Sequence, residues 1–193
     1  MVKKYYRNLP CVAFVGVMSL AVSYNTALAA TAGITPAPAL FSQLEAFHGH
    51  VCAGSIFGAR LGLAAKETLK EAGGTGKFTA RYYDLSCPVD GIQIGAGTTY
   101  GNAAIAVDDR DEHRLVLTAD GNKMSVEARL TKKAEDLGLK SRNLGKKAKG
   151  LPAGDPARMG IEREMEEIYT WLRTAPDDEV VIVTVLKGNK GIS

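Results

Sequence analysis

The chain has 193 residues, with 24 Lys and Arg against 21 Asp and Glu. Three of the cations, Lys3, Lys4 and Arg7, stand at the amino terminus, and setting them aside leaves 21 against 21. That balance leaves no basic footprint for a nucleic-acid partner, and the length suits one domain with a proper core.

Residues 1–29 read as a secretory signal peptide. Lys3, Lys4 and Arg7 form its cationic start, residues 11–22 its apolar run, and Ala27-Leu28-Ala29 a small-x-small cleavage site that starts the mature chain at Ala30. The apolar run is shorter than the ~20 residues that span a bilayer. The expected product is therefore soluble, periplasmic or secreted, with no membrane attachment after cleavage. Residues 30–39, rich in Thr, Pro and Ala, form a flexible lead-in, and residues 40–193 are expected as one α+β domain.

Ser42 caps a short helix running toward Phe47, with Leu44 and Phe47 on one face. A stronger helix covers residues 56–72: Ile56, Leu61, Ala64, Ala65, Thr68 and Leu69 fall close to one stripe, and Gly73-Gly74 stops it. A strand over 78–85 delivers Ser86-Cys87-Pro88, and Pro88 suits the first turn of a helix over 89–96. A tight loop punctuated by Gly95, Gly97 and Gly101 leads to a short strand over 105–107. Residues 114–119 and 123–130 are strands around Asp120-Gly121, a hairpin signal. Thr131 opens a helix ending near Gly138. The segment 140–149 carries five cations and no acid, and is expected as a solvated surface linker rather than an anion-binding loop. Asp155 caps and Pro156 opens a last helix, with Ile161, Met165, Ile168, Tyr169 and Leu172 as its apolar stripe. The continuous apolar run 180–186 predicts a buried strand. Hairpin, helices and an isolated late strand predict an α+β fold, a mostly antiparallel sheet packed with helices.

The chemistry concentrates in His48-Gly-His50-Val-Cys52-Ala-Gly54 and, 35 residues beyond Cys52, in Cys87-Pro88-Val89-Asp90. Imidazole and thiolate are preferred donors for zinc and related metals. The i, i+2, i+4 spacing puts His48, His50 and Cys52 on one side of an extended stretch. Gly49 and Gly54 weaken a helical alternative. Cys87, at a strand end, is the fourth candidate ligand. Asp90 could complete the set or orient a histidine. Zn2+ or another divalent transition metal suits these donors, and three protein ligands would leave a position open for water or substrate. The alternative stays open that Cys52 and Cys87, an even pair in an oxidising compartment, form a disulfide beside two ordinary histidines. A redox-active pair has less support, because the spacing lacks a Cys-x-x-Cys motif.

Arg60, eight residues after Cys52, could face an anionic ligand, or could pack its stem and pair with a carboxylate. Asp84 and Asp90 flank Cys87 and are acid–base candidates, although isolated carboxylates near a strand end are commonly surface groups. Asp90 and Arg60 are the candidate catalytic residues. His113, in the charged turn 108–114, is expected to be solvated. Gly95-x-Gly97 follows no suitable strand and lacks a third glycine, so no nucleotide loop is expected.

At these residues the sequence resembles the FmdE family, named for a component of formylmethanofuran dehydrogenase. The matching stretches are Phe47-His-Gly-His-Val-Cys-Ala-Gly-Ser-Ile-Phe-Gly-Ala-Arg60, Asp84-Leu-Ser-Cys-Pro-Val-Asp90-Gly-Ile-Gln93 and Gly97-Thr-Thr-Tyr-Gly101-Asn102. They lie within residues 40–130. The resemblance implies an α+β core, often dimeric, with a metal near the His-x-His-x-Cys element and the second cysteine. The members that name the family associate with a molybdenum or tungsten enzyme of one-carbon metabolism, while many relatives are free-standing. Three departures matter. Ala53 stands where the family often has proline, Thr98 where many relatives have another cysteine, and no cysteine-rich zinc finger follows.

The functional expectation is an exported, free-standing metal-binding protein, a homodimer, accessory to a redox or one-carbon system and to a redox-enzyme partner. The alternatives are a small metal-dependent enzyme acting on an anionic small molecule, or a disulfide-stabilised binding module without metal. The export signal places the chain apart from cytoplasmic methanofuran chemistry.

Overall fold

The computed structural model describes residues 36–186, so the expected signal peptide and most of the expected lead-in fall outside the described residues. Two helices come first, α1 (Pro38–His48) and α2 (Ala53–Glu71), then strand β1 (Phe78–Tyr83) and helix α3 (Pro88–Ala96). A 3-10 turn (Tyr100–Asn102) precedes β2 (Ile105–Val107), β3 (Glu112–Ala119) and β4 (Ser125–Leu130). The chain closes with α4 (Lys132–Lys149), α5 (Pro156–Thr174), the single turn α6 (Asp177–Val180) and β5 (Val181–Leu186).

Period-two alternation builds the sheet. Leu115, Leu117 and Ala119 of β3 and Val126, Ala128 and Leu130 of β4 are buried, while their neighbours turn to the opposite face. The strand order is β2-β1-β3-β4-β5, antiparallel except for the parallel pair β1–β2. A parallel neighbour needs a long crossover, and α3 lies on that connection. Helix α2 covers the buried face and adds Ile56, Phe57, Leu61, Ala65 and Leu69 to one core. The fold is the expected α+β arrangement of helices on a mostly antiparallel sheet. Among the described residues no helix is long and apolar enough to cross a membrane.

Several element boundaries differ from the sequence expectation. The first helix starts at Pro38 rather than at Ser42, because proline suits a first helical turn. The second starts at Ala53, since the Cys52 side chain caps it by accepting from Ser55 N–H at 3.3 Å. The expected stop near Gly138 and the expected linker 140–149 are both replaced by α4, which runs on to Lys149. Ala134, Leu137, Ser141, Leu144 and Ala148 recur every three or four residues through the lysines, and this narrow stripe packs on α5 and the core. Gly138 faces Phe57, and an added Cβ there would make an ordinary 3.4 Å contact with the ring. The strand 181–186 is not buried on both faces. It is the last in the sheet, paired on one side, and leaves Ile182 55% and Val185 45% exposed.

Candidate metal centre

Helices α2 and α3 cross with their backbones nearly touching, and glycines make this possible. A Cβ on Gly58 would stand 2.3 Å from the Pro88 carbonyl oxygen. On Gly91 it would stand 2.2 Å from the Ser55 oxygen, and on Gly95 2.3 Å from the Ala59 oxygen. No side chain fits at these three positions. The residue preceding each helix is a cysteine, Cys52 before α2 and Cys87 before α3. Locking the helices together therefore brings the two thiols together. The point beside Gly54 where a Cβ would sit is 3.0 Å from Cys87 Cβ and 3.7 Å from Cys52 Sγ. Both cysteines are free.

The histidines arrive from the other side. His48 is the last residue of α1, and Gly49 turns the chain with φ of 84°, a left-handed conformation that glycine adopts at little cost. His50 and Val51 follow, and Cys52 opens the next helix. The expected extended run is thus a helix end, a turn and a helix start. One potential donor atom each from His48, His50 and Cys52 still lies within 4.8 Å of the others, a group that could hold a metal ion. The two imidazole rings are 4.5 Å apart between centroids. His48 Nε2 lies 3.7 Å from Cys52 Sγ. Cys87 borders Cys52 but does not join this group of three.

Asp90, in the first turn of α3, accepts a hydrogen bond from the other ring nitrogen of His48. Its Oδ2 is 2.7 Å from His48 Nδ1, which leaves Nε2 turned toward the thiol. A carboxylate placed this way fixes the tautomer and ring orientation of a metal-binding histidine. Asp90 Oδ1 accepts from Gln93 Nε2 at 3.3 Å, and Gln93 Oε1 accepts from the Tyr100 N–H at 2.8 Å. This ties the glycine-punctuated loop to the orienting carboxylate. Ser55 adds a hydroxyl 3.4 Å from Cys52 Sγ.

Two influences oppose each other at the Cys87 thiol. Helix N-termini favour a thiolate, but burial, and after it the neighbouring Cys52, push the Cys87 thiol up to about 11. Without a cation the Cys87 thiol is protonated at neutral pH. The donor chemistry fits a borderline-soft divalent ion, since two imidazoles and thiol sulfur are what such an ion prefers.

Other candidates are placed elsewhere. Arg60 is fully buried and does not reach the cluster. Its guanidinium donates to the Leu172 and Ala175 carbonyls at 2.8 and 2.7 Å, and to Asp177 Oδ1 at 2.7 Å. Arg60 thus takes the second of its two expected roles, packed and paired with a carboxylate within the core, where it pins α2 to the end of α5 and is not placed to act on a ligand at the cluster. Asp84 is buried, accepts from the Ser86 hydroxyl and faces His113 Nδ1 at 3.4 Å. His113 is not simply solvated. It also meets the Tyr82 hydroxyl at 2.9 Å and packs on Phe57, with ring centroids 4.9 Å apart. Sequence reasoning singled out Asp84 but missed its grouping with His113 and Tyr82, and the part played by Gln93, because their partners stand on other elements and no local spacing marks them.

An α+β domain with a His–His–Cys cluster at converging helix ends is thereby defined. Residues 47–182 match the family model described as FmdE, molybdenum formylmethanofuran dehydrogenase operon, and the chain belongs to that family. It is similar to the crystal structure of a tungsten formylmethanofuran dehydrogenase FmdE-like protein from Syntrophus aciditrophicus. The TM-score is 0.52 at 19% identity, over 78% of this chain and 71% of that one, a likeness of fold. No curated protein matches the sequence.

Proposed function

We propose that this chain is an exported zinc-binding member of the FmdE family, accessory to a redox or one-carbon system, with His48, His50, Cys52 and Cys87 as ligands. One observation carries this reading: the cysteines that open α2 and α3 meet beside a histidine whose ring Asp90 orients. A structural disulfide would have no need of that carboxylate–imidazole pair. A bound divalent ion would hold the thiols as thiolates and act as a Lewis acid toward a ligand in any open position. The chain's own contribution is placement. Asp90 orients His48, Ser55 supports Cys52, and the crossing of α2 and α3 keeps the two sulfurs adjacent.

Substituting Cys52 or Cys87 with Ser tests the ligand set. Metal should be lost from either variant while the fold persists by circular dichroism, and stoichiometric metal in both would contradict the assignment. A second reading, a metal-dependent enzyme acting on a small anion, draws support from a cavity that opens beside His50.

A further inference from the structure

A cavity of about 390 Å3 lies against the candidate centre, between α1, the start of α2 and the end of α5. Its size falls within the roughly 300–1,000 Å3 of small-molecule sites. His50 forms part of the wall, and so does Ser55, the residue that supports Cys52. Phe41, Leu44 and Ile56 supply apolar surface. Among the lining residues Arg173 is the only Lys or Arg and Glu45 the only carboxylate.

Arg173 is held but not saturated. Its Nε donates to the Tyr169 carbonyl at 3.2 Å and its Nη2 to Glu166 at 2.5 Å. Among the described residues Nη1 has no protein partner. The Glu166 side chain is 60% exposed, and ion pairs this open to water hold weakly. Nη1 is therefore left to donate to one oxygen of a ligand carboxylate. With Glu166 on Arg173 and Glu45 on the wall, a second negative charge on the ligand would be repelled.

We propose that this cavity binds a small monocarboxylate, its carboxylate on Arg173, its apolar body along Phe41, Leu44 and Ile56, and its far end at His50. The placement of the far end rests on the metal-binding reading of His50; the anion anchor does not. Arg60, one sequence candidate for an anionic ligand, is bound within the core, whereas the geometry points to Arg173, far along the chain at the end of another helix.

The test is a titration of the intact protein, zinc-loaded and metal-free, followed by heteronuclear NMR with hexanoate, hexylamine and inorganic phosphate as probes. Hexanoate should saturate shifts at Phe41, Leu44 and Arg173, with neither of the other probes doing so. Arg173→Gln should weaken it about tenfold or more, and Glu45→Gln should strengthen it about twofold. Absent saturation, equal binding of hexylamine, or unchanged affinity in Arg173→Gln would overturn the proposal. If zinc is retained stoichiometrically and hexanoate does not bind, the cavity inference alone fails. If zinc is never retained but hexanoate still titrates through Arg173, the cavity stands and the metal reading fails.

Discussion

His48 Nδ1 and Asp90 Oδ2 are 2.7 Å apart across 42 residues of sequence, joining the end of α1 to the first turn of α3. The contact does two things at once. It holds two helix ends together and aims Nε2 at the Cys52 sulfur. Asp90→Asn keeps the shape and removes the charge. Metal affinity should fall about ten- to a hundredfold, measured by competition against a chromophoric chelator, with little change in unfolding midpoint. Unchanged affinity would remove Asp90 from its orienting role.

Metal binding should be steeply pH-dependent because of Cys87. Its folded pKa is raised from 9.0 to about 11, by burial first and by Cys52 second. Binding must then expel a proton at any pH below that value, so affinity rises with pH, by about tenfold per unit for each proton released. The rise should continue past 9.0, toward about 11. In the metal-free protein the same shift favours the folded state fully below 9.0, and that contribution is lost as pH rises through about 11. A pH series of zinc affinities on the intact protein measures the effect. An affinity that levels off by 9.0 would contradict it.

Arg60 should matter for stability and not for metal. Its guanidinium is fully buried and paired with Asp177, whose side chain is 12% exposed. Arg60→Ala strands that carboxylate and two carbonyls, and should cost about 3–5 kcal/mol in denaturant unfolding. Zinc stoichiometry in the folded fraction should stay unchanged. A variant that kept its stability but lost metal would return Arg60 to the site.

The crossing of α2 and α3 is the scaffold of the centre. Gly91→Ala places a methyl 2.2 Å from the Ser55 oxygen, and backbone cannot yield as a side chain does. The helices must separate, at a cost of about 1–3 kcal/mol or more, and metal affinity should fall with the separation of the two cysteines. Gly101→Ala, with nothing within 4 Å of the added carbon, serves as the control and should change neither quantity.

The fold class was legible because alternation in β3 and β4 and the stripe of α5 are local patterns. The long α4 was not, since its apolar stripe is narrow and includes a serine, while lysines and Gly138 dominate the composition. Edge position of β5 was equally hidden: Val, Ile and Leu describe a strand, not how many neighbours it has. His48, His50, Cys52 and Asp90 stood out by residue type and do converge, though through a helix–turn–helix rather than an extended run. The placements of Arg60, His113 and Arg173 depend on contacts between distant elements, and spacing carries no record of them.

Metal content and free thiols, measured together on protein purified without chelator, probe the centre itself. About one divalent ion per chain is expected, and Cys52 and Cys87, both free in the structure, should react with a thiol reagent only after chelation. Protein with no metal and no reactive thiols would mean a Cys52–Cys87 disulfide, and the metal centre proposed for this chain would be wrong.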